Sequence, residues 1–176
     1  MKQVAIAILL VVSLMLNGCG GSSAQVQAAS GAIWQAQLNG GSGSVSGLSF
    51  ITTFTLNSDY TMNFSNFQFL NQGTCFPVEG EDPTGALTNV QVTQNTGAVI
   101  ANFSFTVQGG GNTLVLTGTL TGTETGTEVG TTNTGTFTSA VATGTWTVSG
   151  STCNLTAAET SFTMTLCTSS TVCPAS

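Results

Sequence analysis

A two-residue period in the placement of apolar side chains runs through most of the chain after residue 31. One such set takes alternate positions at Val99, Ala101, Phe103, Phe105 and Val107. Because successive side chains of an extended strand point to opposite faces, this spacing puts the apolar set on one face. Residues 32–38, 50–56 and 162–166 alternate in the same way. The pattern predicts antiparallel strands with one buried face and one solvated face.

Glycine-rich breaks separate these strand-like segments at residues 39–43, 73–85 and 109–112 and at Gly150. No stretch of the same region sustains a helical period of 3.6 residues. We therefore expect residues 31–176 to form one all-β domain, a single antiparallel β-sandwich or a small β-barrel of about 8–10 strands. The expected core consists of Trp34, Phe54, Phe103, Phe105, Trp146, Phe162 and Met164.

The alternation changes phase within one of these strands. Apolar residues fall on even positions at Met62 and Phe64, and on odd positions at Phe67 and Phe69. One extra residue in a strand shifts the phase in this way. The sequence predicts a β-bulge near Ser65, which bends the strand or re-aims an aromatic side chain at a ligand site.

Residues 113–136 have an unusual composition of threonine and glycine. Threonines occupy successive odd positions at Thr117, Thr119, Thr121, Thr123, Thr125 and Thr127. An extended strand would present them on one face, and β propensity accounts for their number. On the opposite face Leu116 and Leu120 give way to Glu124 and Glu128. We expect a long solvated hairpin or edge strand in which burial fades towards the acidic residues.

The first residues form a secretory signal. Lys2 supplies a positive charge, residues 4–16 are apolar, and Gly18 is a small residue before a cleavage site. The motif Leu16-Asn17-Gly18-Cys19 resembles the lipobox of bacterial prolipoproteins. The resemblance implies that residues 1–18, a helical signal peptide, are cleaved and that Cys19 is acylated. In that family an aspartate directly after the acylated cysteine favours retention at the inner membrane. Gly20 occupies this position here, so the resemblance implies the outer membrane in a cell that has one.

Residues 19–30 are small and polar beyond the proposed lipidated cysteine, which predicts a flexible tether. Removal of Lys2 with the signal leaves a chain without lysine, arginine or histidine. Such a chain cannot neutralise phosphates, so nucleic-acid binding is excluded. It also lacks an imidazole base and a lysine nucleophile. We expect a protein that is not an enzyme and that carries no cofactor.

Four cysteines remain once Cys19 is assigned to lipid: Cys75, Cys153, Cys167 and Cys173. An even number in an exported chain predicts two disulfides, for which the sequence allows three pairings. We favour Cys75 with Cys153 and Cys167 with Cys173. A cysteine metal site is disfavoured because the chain has no Cys-x-x-Cys pair.

The segment Val78–Gly85 gathers Glu79, Glu81 and Asp82 within four positions. Carboxylate oxygens suit calcium, although the spacing differs from that of an EF-hand loop. A solvated turn and a weak calcium site are the two interpretations of this segment.

Three classes of function remain open at this stage. The first is a lipid-anchored, non-catalytic structural or interaction module of the cell envelope, with an envelope protein or a glycan as partner. The second is a small-ligand-binding β-barrel lipoprotein, which requires a connected apolar cavity of roughly 300 Å³ or more. The third is a carboxylate-based hydrolase, which requires two acids held at a fixed separation.

Overall fold

The computed structural model describes residues 25–27, 32–57, 59–77, 80–93, 95–125, 128–129, 132–155 and 160–168. The predicted signal peptide, Cys19, Glu79 and Cys173 lie outside these ranges. Within the predicted tether, residues 25–27 form a short strand that pairs in parallel with residues 134–136.

The described residues form ten strands and one 3-10 helix at Gly43–Val45, which confirms the predicted all-β class. The strands are β1 Gln25–Gln27, β2 Ile33–Asn39, β3 Ser49–Leu56, β4 Met62–Asn71, β5 Asp82–Thr93, β6 Ala98–Gly109, β7 Asn112–Thr125, β8 Glu128–Val129, β9 Thr132–Gly150 and β10 Ser161–Leu166.

Eight antiparallel strands make one sheet in the order β4-β3-β2-β10-β9-β7-β6-β5, and β1 and β8 both pair with β9. This sheet curls into a half-barrel. Of the two predicted architectures, the structure therefore adopts the barrel-like one.

The two end strands of the sheet, β4 and β5, meet at one point. Thr61 and Ala86 form an isolated bridge, and the Leu87 N–H donates to the Tyr60 carbonyl oxygen over 3.0 Å. A Cβ atom at Gly85 would lie 2.6 Å from Met62 Sδ and 3.0 Å from the Ser104 carbonyl oxygen, so the two strands approach closely here. We call the boundary between β4 and β5 the seam, and this contact its closed end.

Side chains along the strands are alternately buried and exposed, as the sequence predicts. In β6 the predicted apolar set is buried, whereas Ile100 on the opposite face is 54% exposed. The seven residues predicted to form the core are each at most 2% exposed. The inner face of the half-barrel therefore packs against itself, and among the described residues no separate sheet covers it.

Phenylalanine rings fill much of this interior. The ring of Phe105 on β6 stacks on that of Phe50 on β3, with 5.1 Å between centroids. It also meets the ring of Phe64 edge-on at 5.3 Å and that of Phe67 at 6.3 Å, both on β4. These contacts join strands from opposite ends of the sheet, and so maintain its curl.

The predicted bulge is present in β4. Phe64 pairs with Phe54 and Asn66 pairs with Thr53, so Ser65 is the additional residue. Its insertion changes the phase of the strand, and the rings of both Phe64 and Phe67 therefore reach the interior.

The threonine-rich segment differs from its prediction in two respects. Its threonines from Thr117 to Thr125 are exposed, as expected, but β7 lies between β9 and β6 and is not an edge strand. Burial also continues as far as Glu124, which is 6% exposed. Because the curl turns the inner face towards the interior along the whole strand, this acid is enclosed rather than solvated.

The Cys75–Cys153 disulfide is present, as predicted, across 78 positions of the sequence. Buried Asn112 reinforces it, because its side-chain N–H groups donate to the Cys75 carbonyl oxygen over 2.6 Å and to Thr152 Oγ1 over 2.8 Å. Its Oδ1 accepts from the Cys153 N–H over 3.2 Å. Cys167 is also disulfide-bonded.

Replacing Cys75 and Cys153 together by alanine should lower the free energy of unfolding by about 4 kcal/mol, because the bond closes a long loop in the unfolded chain. The matched control replaces Cys167 and Cys173, whose predicted loop is short and whose loss should cost only about 2 kcal/mol. Urea unfolding at neutral pH measures both values. If the control pair lost as much free energy of unfolding or more, Cys75–Cys153 would not be the more stabilising disulfide.

Candidate functional site

A groove lies along the seam, next to its closed end. It has a volume of about 430 Å³ and is lined by Met62, Asn63, Phe64, Ser65, Asn66, Phe67, Glu81, Asp82 and Pro83. One wall is the first half of β4, which contains the bulge, and the other is the start of β5 with the residue before it. The groove therefore combines two features that the sequence indicated separately, the bulge and the acidic segment.

The floor of the groove is aromatic. The rings of Phe64 and Phe67 are half-buried, and each contacts the ring of Phe105 from the interior side. Phe67 also packs against Phe50 and Phe69, each with 5.1 Å between ring centroids. Because these rings are held by the core, the floor is rigid and offers only part of its apolar surface to a ligand.

The rim is polar. Asn63, Ser65, Asn66 and Asp82 are exposed, and Glu81 is half-buried. The Ser65 hydroxyl donates to the Thr53 carbonyl oxygen over 3.3 Å, so it is engaged with the neighbouring strand β3. Amides and carboxylates around an apolar floor can bind a chain that carries hydrogen-bond donors and a positive charge.

The two walls are protected to different degrees against pairing with another strand. Register irregularities occur in both strands, at Ser65 in β4 and between Thr88 and Gln91 in β5, so the difference lies in Pro83, which removes a backbone donor from β5, and in Asp82, which adds a charge. In contrast, β4 has neither proline nor a charged residue between Met62 and Asn71. The edge of β4 is therefore the more accessible of the two.

The structure brings together only part of the predicted calcium site. Glu81 and Asp82 line the groove, and Glu79 lies outside the described residues. Within the ranges that the structure covers, no three histidine, cysteine, aspartate or glutamate residues are grouped so that they could hold a metal ion. Asp82 begins β5, so the predicted turn ends earlier than Gly85.

A second polar feature, which the sequence prediction missed, is Glu124 on the inner face of β7. Burial raises the pKa of its carboxyl, and Oε2 has no hydrogen-bond partner among the described residues. Burial also raises the pKa of Tyr60, and the nearby charge of Glu124 raises it further. Glu124 lies four positions after Leu120, which places both on the same face of the strand. This spacing was the available signal for burial, but the charge of Glu124 suggested an exposed residue.

Comparisons with known proteins provide no further assignment. No family model matches the chain, and no matching curated protein or solved structure was found. Among the described residues, none of the helical segments has the length and apolar character needed to cross a bilayer. The chemistry of the groove is therefore the basis for a functional proposal.

The buried carboxyl of Glu124 should make stability depend on pH. Above the ordinary value of 4.5, the unfolded chain releases a proton that the folded chain still holds, so folding stability falls as pH rises towards the raised pKa. Replacing Glu124 by glutamine removes this dependence. Urea midpoints at pH 4 and pH 7 should therefore favour the variant more strongly at pH 7.

Asp59 provides a control for the prediction on Glu124, because its pKa is shifted in the opposite direction. The Thr61 hydroxyl and N–H donate to Asp59 Oδ1 over 2.6 and 3.0 Å and lower the pKa of Asp59. Its contribution to stability is present above the unfolded-state value of 3.8 and is lost as pH falls through the lowered pKa. Asp59→Asn should therefore be less stable than the parent at pH 7 and equal to it in strong acid. The same trend in both variants would contradict the two assignments.

Proposed function

We propose that the protein is a lipid-anchored, non-catalytic interaction module of the bacterial cell envelope, and that it contacts its partner through the seam groove. The observation that carries this proposal is the position of the groove at two strand edges that no other described strand pairs with beyond the closed end. Such edges can extend a sheet by pairing with a strand of another protein.

Attachment to the membrane rests on the lipobox. Two or more acyl chains on Cys19 would hold the protein stably at a bilayer, because each buried methylene contributes about 0.8 kcal/mol. Gly20 favours the outer membrane in cells that have one. The domain would then meet other components of the envelope while attached to the surface.

The packing of the interior favours this proposal over a ligand-binding barrel. Trp34, Phe105, Trp146 and Met164 are fully buried, and they belong to one cluster with apolar side chains from both ends of the sheet. The groove of about 430 Å³ is instead bordered by exposed residues at the surface. A small apolar ligand would be better accommodated by an enclosed pocket.

A carboxylate-based hydrolase is the alternative within the enzyme class. At this groove it would have to use Asp82, which begins β5, and Glu81, which precedes it. Adjacent residues on one wall do not place two acids on either side of one bond. The groove therefore favours binding over catalysis.

The anchor is tested by replacing Cys19 with alanine. The parent protein should fractionate with membranes and carry an acylated amino terminus at residue 19, whereas Cys19→Ala should appear in the soluble fraction. Mass spectrometry of the amino-terminal peptide and immunoblots of both fractions provide the measurements. An unmodified Cys19 in the membrane-bound parent would contradict lipid anchoring.

The interaction surface is tested by site-specific photo-crosslinking in living cells. A photoreactive amino acid at Ser65, in the groove, should give a discrete adduct with another envelope component. The same amino acid at Thr119, which is exposed on the outer face of β7, serves as the matched control and should give none. The absence of an adduct at Ser65, or equal labelling at both positions, would contradict the proposed surface.

A further inference from the structure

We propose that the seam groove binds an extended peptide segment of another protein, that this segment carries lysine or arginine, and that it pairs with β4 as an added strand. The inference rests on the proposed function and specifies its partner. Three properties of the described residues lead to it: the open edge of β4, the charge of the groove and the packing of its floor.

The first property is the open edge. β4 pairs with β3 along one side, and on its other side the bridge between Thr61 and Ala86 closes only the beginning of the seam. Beyond that bridge no described strand pairs with this side of β4, and residues 62–67 border the groove there and can offer backbone donors and acceptors to a short strand. Because Pro83 and Asp82 protect β5, the added strand is expected to pair with β4.

The second property is charge. Glu81 and Asp82 line the wall opposite β4, and the nine residues that line the groove include no positive charge. Residues 19–176 contain no lysine, arginine or histidine. A second copy of the mature chain therefore has no positively charged side chain to place beside these carboxylates. The complementary partner is a different protein with basic residues.

The third property is the floor. Phe64 and Phe67 are half-buried and are fixed by contacts with Phe105, so they expose part of their rings rather than a broad stacking surface. A β-strand places every second side chain towards such a floor, and an apolar side chain of modest size fits this arrangement. A glycan would gain more from fully exposed aromatic rings, so the floor favours a peptide.

The test uses the full chain, purified in a non-ionic detergent, and a fluorescent eight-residue peptide that alternates lysine and valine. Fluorescence anisotropy should show saturable binding. A peptide that alternates glutamate and valine should not bind. The lysine peptide with alternate backbone amides N-methylated keeps its charges but cannot pair along one edge, and its affinity should fall about tenfold or more.

Variants locate the binding site. Ser65→Lys places a positive charge and a long side chain on the exposed edge of β4, and should weaken binding about tenfold. Combining Glu81→Gln with Asp82→Asn should weaken it about fivefold. Thr119→Lys adds the same charge on the outer face of β7 and should leave binding unchanged. Circular dichroism and thermal midpoints confirm that each variant is folded.

Several outcomes would overturn the inference. One is equal affinity for the N-methylated peptide, which would indicate attraction by charge alone. Another is unchanged binding by Ser65→Lys. Binding of a tetramer of N-acetylglucosamine that is abolished by Ser65→Lys, without binding of the lysine peptide, would assign the groove to a glycan. If Ser65 still crosslinks to an envelope component in cells while the peptide fails to bind, the proposed function stands and only the peptide assignment fails.

Discussion

The contacts of Phe105 across the interior are the interaction on which the rest of the structure depends. An antiparallel sheet with one apolar face must cover that face, and here it does so with its own far end. Phe105 lies next to the β5 end of the sheet, whereas Phe50, Phe64 and Phe67 belong to the β4 end. Once these rings are in contact, the two edge strands have to lie near each other. The groove is thus a geometric result of closing the core.

Local patterns predicted the strands well because alternation directly reports which face a side chain occupies. The burial of β6 and the bulge at Ser65 both follow from the spacing of apolar residues. Proximity between distant segments has no such local signal. The bulge and the acidic pair Glu81 and Asp82 were each recognised in the sequence, but their meeting depends on the curl of the whole sheet. For the same reason, the burial of Glu124 was missed.

The two ends of the seam have different chemistry. At the closed end, Tyr60 adopts a left-handed backbone conformation with φ of 62°, which is uncommon for a residue other than glycine. Its carbonyl oxygen accepts a hydrogen bond from the Leu87 N–H, and burial, followed by the nearby charge of Glu124, raises the pKa of its side chain. Beyond this point, Phe64 and Phe67 line the floor. The seam therefore changes, within a few residues, from a hydrogen-bonded contact at its closed end to a groove with an aromatic floor.

The parallel pairing of β1 with β9 determines where a membrane attachment would enter the fold. Between Cys19 and Gln25 the chain can span at most about 20 Å. In the strand order β9 is separated from both β4 and β5, although β1 also lies close to β3. If Cys19 is acylated as proposed, the lipid would act as the fixed point of the domain. A tensile force between the membrane and a partner bound to β4 would then pass through the strands between β9 and β4, and the Cys75–Cys153 bond links the segments that follow these two strands.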